Sequence, residues 1–364
     1  MPREICRTDT FGCDTTYISR YEVFMENTVI AVGAADCGTS PIMPYVGERF
    51  DGKIFTVLAK RYLSAALLRC GFDVLDPADG VCDAQDLMIA ANRHTVSATV
   101  VVSYTAFGSR KSFNDIRGSV VRYSQGRFGA RSRVLCEDIC AKLGMQGKSS
   151  TASDGALGAA NCPTAVIDAG YITYFDEAKM LYDPDFAVET GEHIAMGVCE
   201  HFGMPYIRRD DILSYPLLCS AATGKRGKKI KMLQALLCAN GYTVDMDGIF
   251  GKNTDYAVKT FCINNGLHDC DGVSAAVWRD LLLLNPPRLE YGTKHNAVLY
   301  IQRKLTSKLY KTPLSATLDE DTLTAVNEFL TETESGLRAT KSGGVTEEIF
   351  KLIHAVGGGR PRLF

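Results

Sequence analysis

Nowhere in the 364 residues is there an apolar run approaching the ~18 residues that a membrane-spanning helix needs. The stretch Leu281–Leu284 is closed at once by Asn285, Pro286 and Pro287. No contact with a membrane is therefore expected. An excess of positive charge is missing too: 40 Lys and Arg face 42 Asp and Glu, for a net charge of −2. A general nucleic-acid binder carries a basic surplus, so nucleic acid is not expected as a partner. There is no Cys-x-x-Cys pair among the 13 cysteines, an odd number without regular spacing. That pattern argues against a disulfide scaffold, and it favours reduced, buried thiols. The opening residues, MPREICRTDTFGCD, lack the apolar core of a secretory signal, so synthesis in the cytoplasm without a signal peptide is expected.

What is present is enough apolar material, 46% of residues, for more than one core. From residue 28 to 207 strand and helix patterns alternate. Asn27–Ala35 reads as a strand, and KIFTVLAKRYLSAALLRCGFDVL as an amphipathic helix stopped at Gly71 and followed by a strand. AQDLMIAANRH reads as a helix, and the β-branched Val100, Val101 and Val102 open a buried strand ending at Ser103-Tyr104-Thr105. GSVVRYS, SRVLCEDICAKLG, PTAVIDAGYIT and DFAVETGEHIAMGVCEHFG continue the alternation. The expected fold class is α/β, a mostly parallel sheet flanked by helices, with sites built at the carboxyl ends of its strands.

The C-terminal part repeats itself. Slid by 68 positions, Ile230, Leu233, Gln234 and Leu237 meet Val298, Ile301, Gln302 and Leu305. Thr254, Ala257, Val258 and Phe261 meet Thr322, Ala325, Val326 and Phe329. After a short insertion, Val273, Trp278 and Leu281 meet Val345, Phe350 and Ile353. Each copy reads as three short helices whose apolar stripes are first of all core.

Three smaller features have bland readings beside sharper ones. Cys136 and Cys140 share a helix face, as half a metal site or as two small core residues. Cys37 lies in a glycine-rich loop but has no base adjacent in sequence. DMDGIFG is not a calcium loop, because counting from Asp245 places Tyr256 where a bidentate Glu is required.

The segment from Lys228 resembles the peptidoglycan-binding repeat of bacterial and phage cell-wall hydrolases. The resemblance rests on Asp247, Gly248, Phe250, Gly251, Thr254, Ala257, Val258, Phe261, Asp271, Gly272, Val273, Trp278 and Leu281. It implies a peptidoglycan or muropeptide partner, with Asp247, Phe250, Gly251 and Trp278 as candidate binding or structural residues. The second copy lacks the Asp-Gly-x-Phe-Gly turn and the tryptophan, and is read as a diverged repeat.

The α/β segment resembles the zinc-dependent N-acetylmuramoyl-L-alanine amidases. The resemblance rests on Gly71–Val74, Ala91-Asn92, the strand ending at Thr105, Gly118–Tyr123 and Pro163–Leu181. It implies a zinc ion held by His, Glu and His, with a second Glu as base. Here the first His position falls on Ala34 or Ala35. The Glu falls near Asp51 or Gly52, or on Glu48 through a small insertion. The second His falls on Thr105, and the base on Asp168. Zinc is the cofactor of the family, but its ligands are absent, so no cofactor is expected.

The expected organisation is an arm at 1–27, a degenerate amidase-like unit at 28–207, a linker at 208–227 and peptidoglycan-binding repeats at 228–285 and 286–357. The expected function is a non-catalytic, peptidoglycan-binding cell-wall protein whose old cleft takes glycan peptide or a protein partner. The alternatives are an active zinc amidase of the lysin type, or a structural component of a phage-like particle or spore layer.

Overall fold

The structure, a computed structural model, describes residues 28–78, 80, 82–143, 149–219, 224–267, 272–284 and 288–355. The expected arm at 1–27 lies outside them, as do His268 and Asp271.

Six strands form the main sheet: β1 (Val29–Ala34), β4 (Asp73–Leu75), β5 (Ala98–Thr105), β6 (Ser119–Ser124), β7 (Ser149–Asp154) and β8 (Thr164–Tyr171), in the order β4-β1-β5-β8-β6-β7. The pairs β4-β1, β1-β5, β5-β8 and β6-β7 are parallel, and β8-β6 is antiparallel. The sheet is thus mostly parallel, as its strand-and-helix alternation requires. Between β1 and the first helix lies a small hairpin, β2 (Thr39–Ile42) and β3 (Arg49–Asp51), which the sequence pattern did not signal.

Helices cover both faces. α1 (Gly52–Arg69), α3 (Gly129–Leu143) and α5 (Pro184–Phe202) pack on one, and α2 (Ala84–Ala91) on the other; α4 (Phe175–Lys179) follows β8. Aspartates start three of them: Asp51, Asp83 and Asp183 each accept a hydrogen bond from the backbone N–H two residues on. Leu63 and Leu67 of α1 are fully buried, each contributing about 2 kcal/mol of hydrophobic stabilisation. No helix among the described residues is long and apolar enough to cross a membrane.

Two three-helix units follow. The first holds α6 (Lys228–Ala239), α7 (Lys252–Asn264) and α8 (Ala275–Leu281); the second holds α9 (Asn296–Ser307), α10 (Glu320–Glu332) and α11 (Glu347–Ala355). The first shares one continuous core with the α/β unit, because α6 lies along α1. The second has its own core and is tied on by Lys304, whose Nζ lies 2.9 Å from Asp183 and 2.7 Å from Asp185.

Hydrogen bonds repeat at the 68-residue spacing. Gln234 donates to Thr254 Oγ1, the Ile249 carbonyl and Asp247, and accepts from the Gly248 N–H. Gln302 donates to Thr322 Oγ1, the Thr317 carbonyl and Ser315, and accepts from the Ala316 N–H. Gly248 has φ 72° and Ala316 φ 60°, so the turn keeps its left-handed shape where its glycine is gone. The segment read as a linker is packed: β9 (Leu218–Cys219) pairs with β10 (Gly272–Val273), and Trp278 Nε1 donates to the Pro216 carbonyl.

Candidate functional site

The register brings the strand ends together. Ala34 pairs with Val102, and Ser103 with Asp168, so β1, β5 and β8 finish at one edge of the sheet. Beyond Ser103 the register shifts, and Thr105 pairs with Tyr171. Ala35 is buried with Leu87, Val101 and Val166 under α2, and Thr105 is half-buried at the rim. Among the positions that the amidase resemblance singles out, the sheet gathers Ala35, Thr105 and Asp168 at this edge, and α1 begins nearby at Gly52.

Asp168 is the polar centre of the edge, and it is not free. Arg122 lies on β6 opposite Val166, on the face that Asp168 shares. Its Nε donates to Asp168 Oδ2 at 2.6 Å and its Nη2 to Oδ1 at 3.2 Å, while its Nη1 donates to Asp154 at 2.5 Å. Burial raises the Asp168 pKa above its ordinary value, and the hydrogen bonds and charge of Arg122, with a further bond from Ser103, pull it back. The guanidinium's own pKa is raised by its two carboxylates against the opposing effect of burial. A base must reach the proton that it takes; here both carboxylate oxygens accept from one guanidinium. This arginine was not picked out from the sequence, although an arginine in a half-buried strand calls for an acid on the same face.

The remaining positions are filled by other atoms. A Cβ at Gly52 would come within 2.2 Å of Cys37 Sγ and 3.0 Å of the Gly38 carbonyl oxygen, so the thiol occupies the space that a side chain at 52 would enter. Asp51 is the N-cap of α1 and accepts from the Lys53 N–H. Arg110 folds over Gly38, its Nη1 2.0 Å from where a Cβ would stand. Burial pushes the Cys37 thiol up to about 12, which leaves it protonated and a poor nucleophile or ligand. Zinc takes thiolate, imidazole or carboxylate donors. Ala35, Gly52 and Thr105 offer none, Asp51 caps α1, Glu48 is exposed on the turn before β3, Cys37 holds its proton and Asp168 is bound to Arg122, so this set does not fit that ion. No group of three His, Cys, Asp or Glu able to hold a metal occurs among the described residues.

The described histidines, the cysteines of α3 and the repeat residues lie elsewhere. His94 is exposed, His201 bonds Asp138 at 2.9 Å, His295 caps α9 and His354 meets Tyr300. His193 is half-buried on α5. Cys136 Sγ points to the Arg122 and Thr164 carbonyls and Cys140 Sγ to Ser149. Eight described cysteines are free thiols, whereas Cys262, expected to be reduced, is disulfide-bonded. In the first helical unit Phe250 and Trp278 are fully buried. Asp247 accepts from Gln234 and from the Ile249 N–H, and Gly251 precedes α7 as its N-cap.

The site is thus a strand-end edge of a mostly parallel α/β sheet. The N-terminal part of the chain is similar to solved structures of N-acetylmuramoyl-L-alanine amidases. With the amidase of Nostoc punctiforme the identity is 16%, covering 48% of this chain and 97% of that one, at a TM-score of 0.41. With the CwlD amidase of Clostridioides difficile, solved with the GerS lipoprotein, the values are 15%, 49%, 99% and 0.39. With the CwlV catalytic domain of Bacillus (Paenibacillus) polymyxa they are 16%, 49%, 99% and 0.40. No family model and no curated protein matches the sequence.

Proposed function

We propose that this chain is a peptidoglycan-binding protein of the cell wall whose amidase-like unit no longer hydrolyses its ligand. The observation that carries the reading is the double hydrogen bond from Arg122 to Asp168, which engages the carboxylate at the base position. Cys37 in the space beside Gly52 supports it. Binding rests on an exposed rim at the strand ends where Phe107 and Ile116 accompany Arg110 and Lys111, since Phe250 and Trp278 of the repeat motif are core residues. An aromatic and aliphatic surface beside cations suits a sugar chain bearing carboxylated peptides.

The test uses the full chain, purified, with its zinc content measured and with intact sacculi as substrate. Co-sedimentation without release of muramic-acid-linked peptide is the expected result. Release of peptide by the native chain would overturn the non-catalytic part, and failure to sediment would overturn the binding part.

A further inference from the structure

The α/β unit and both helical units meet at a small pocket of about 60 Å³ that opens to solvent beside the exposed His354. Tyr62 of α1, Arg209 from the segment after α5 and Arg303 of α9 face it, with Asn240, Asn296 and Tyr300 in the wall. At roughly 15 Å³ per water, the space holds about four waters or one small anion, and no sugar ring.

Two of its donors are unused: Arg209 Nε and Arg303 Nε are both buried without a hydrogen-bond partner among the described residues. Among the described residues Arg209 spends only Nη2, on the Leu282 carbonyl at 2.7 Å. Neither guanidinium has an ion pair with a carboxylate among the described residues, and the Tyr62 hydroxyl, in the field of both, makes no hydrogen bond among them. The carboxylate in the wall, Asp185, already accepts from Lys304 at 2.7 Å and from the Tyr300 hydroxyl at 2.7 Å. Arg209 and Arg303 therefore face the pocket with no carboxylate of their own among the described residues, because Asp185 is held by Lys304. Burial lowers the pKa of Arg303, but a guanidinium keeps its proton and needs an opposite charge. Water would satisfy the donors and leave the charge.

We propose that this junction pocket binds a small oxyanion, a carboxylate or phosphate group, held by Arg209, Arg303 and Tyr62. The anion joins α1, the segment after α5 and α9, so its occupancy stiffens the seating of the second helical unit.

The experiment is calorimetric titration and thermal unfolding of the full chain with sodium phosphate and with sodium acetate, against sodium chloride at matched ionic strength. A saturable single-site response to phosphate or acetate beyond chloride is expected, the stronger of the two naming the group. Arg303→Gln is expected to weaken it at least about tenfold, and Tyr62→Phe, which keeps the ring, about threefold. No saturable response in the native chain overturns the proposal, as does unchanged affinity in the variants. If Arg303→Gln does not fold, the native titration and Tyr62→Phe decide. Sacculus binding plays no part in the readout, so this result stands apart from the proposed function.

Discussion

Asp168 and Arg122 meet across two adjacent antiparallel strands, two residues out of register, with both carboxylate oxygens engaged by one side chain. Arg122→Met leaves a buried carboxylate without its partner and is expected to lower stability by about 3 kcal/mol in urea unfolding. Asp168→Asn removes that buried charge and leaves Arg122 with Asp154, so its loss is expected to be smaller. Equal stability of Arg122→Met and the native chain would show that the pair does not hold the edge together.

Gly52 and Cys37 share one space. Gly52→Ala is expected to lose about 1–3 kcal/mol, because its Cβ meets the thiol and the Gly38 carbonyl. Cys37→Ala removes the sulfur. The double variant is therefore expected to recover about 1 kcal/mol relative to the sum of the single losses, as read from a double-mutant cycle. Strict additivity would contradict the packing described.

Ala316 holds a left-handed backbone that favours glycine. Ala316→Gly is expected to raise stability by up to about 1 kcal/mol, and Gly248→Ala at the corresponding turn to lower it by a similar amount. Thermal unfolding of the two variants gives opposite shifts if the turns are equivalent.

Two groups near α8 and α9 give pH slopes of opposite sign. Burial takes His295 down from 6.5 to about 4; its contribution is present above pH 6.5 and is lost as pH falls toward 4. Burial takes Asp280 up from 3.8 to about 6; its contribution is present below pH 3.8 and is lost as pH rises through 6. His295→Asn should therefore expose the Asp280 slope, with stability falling from pH 4 to 6.5. Asp280→Asn should expose the reverse. Denaturant midpoints across that range check both signs.

The parts legible in the sequence are those where one physical demand dominates. Val100–Val102 and Val166-Ile167 are buried on both sides and read as strands without help. The stripes of α6 and α9 recur because each turns the same apolar face to its core and carries the same glutamine, Gln234 or Gln302. β7, SSTASD, was silent: it is an edge strand, half-exposed and polar, with no alternation to read. The Ala316 turn was hidden because its shape is held by Gln302 rather than by a glycine. Of the site, the strand-end positions Ala35, Thr105 and Asp168 were legible. The groups that surround them were not, since Cys37, Arg110 and Arg122 come from separate segments and only the folded chain brings them to the strand ends.

α1 has almost no side facing solvent: the sheet and α5 lie against it within the α/β unit, and α6 lies along its outer surface. That arrangement forbids treating the chain as beads on a string. A first half trimmed away from its helical partner would present a bare greasy strip and clump, and an unrelated helical module spliced in its place would not cover it. Any shuffling of this chain has to carry α1 and α6 as a single inherited block.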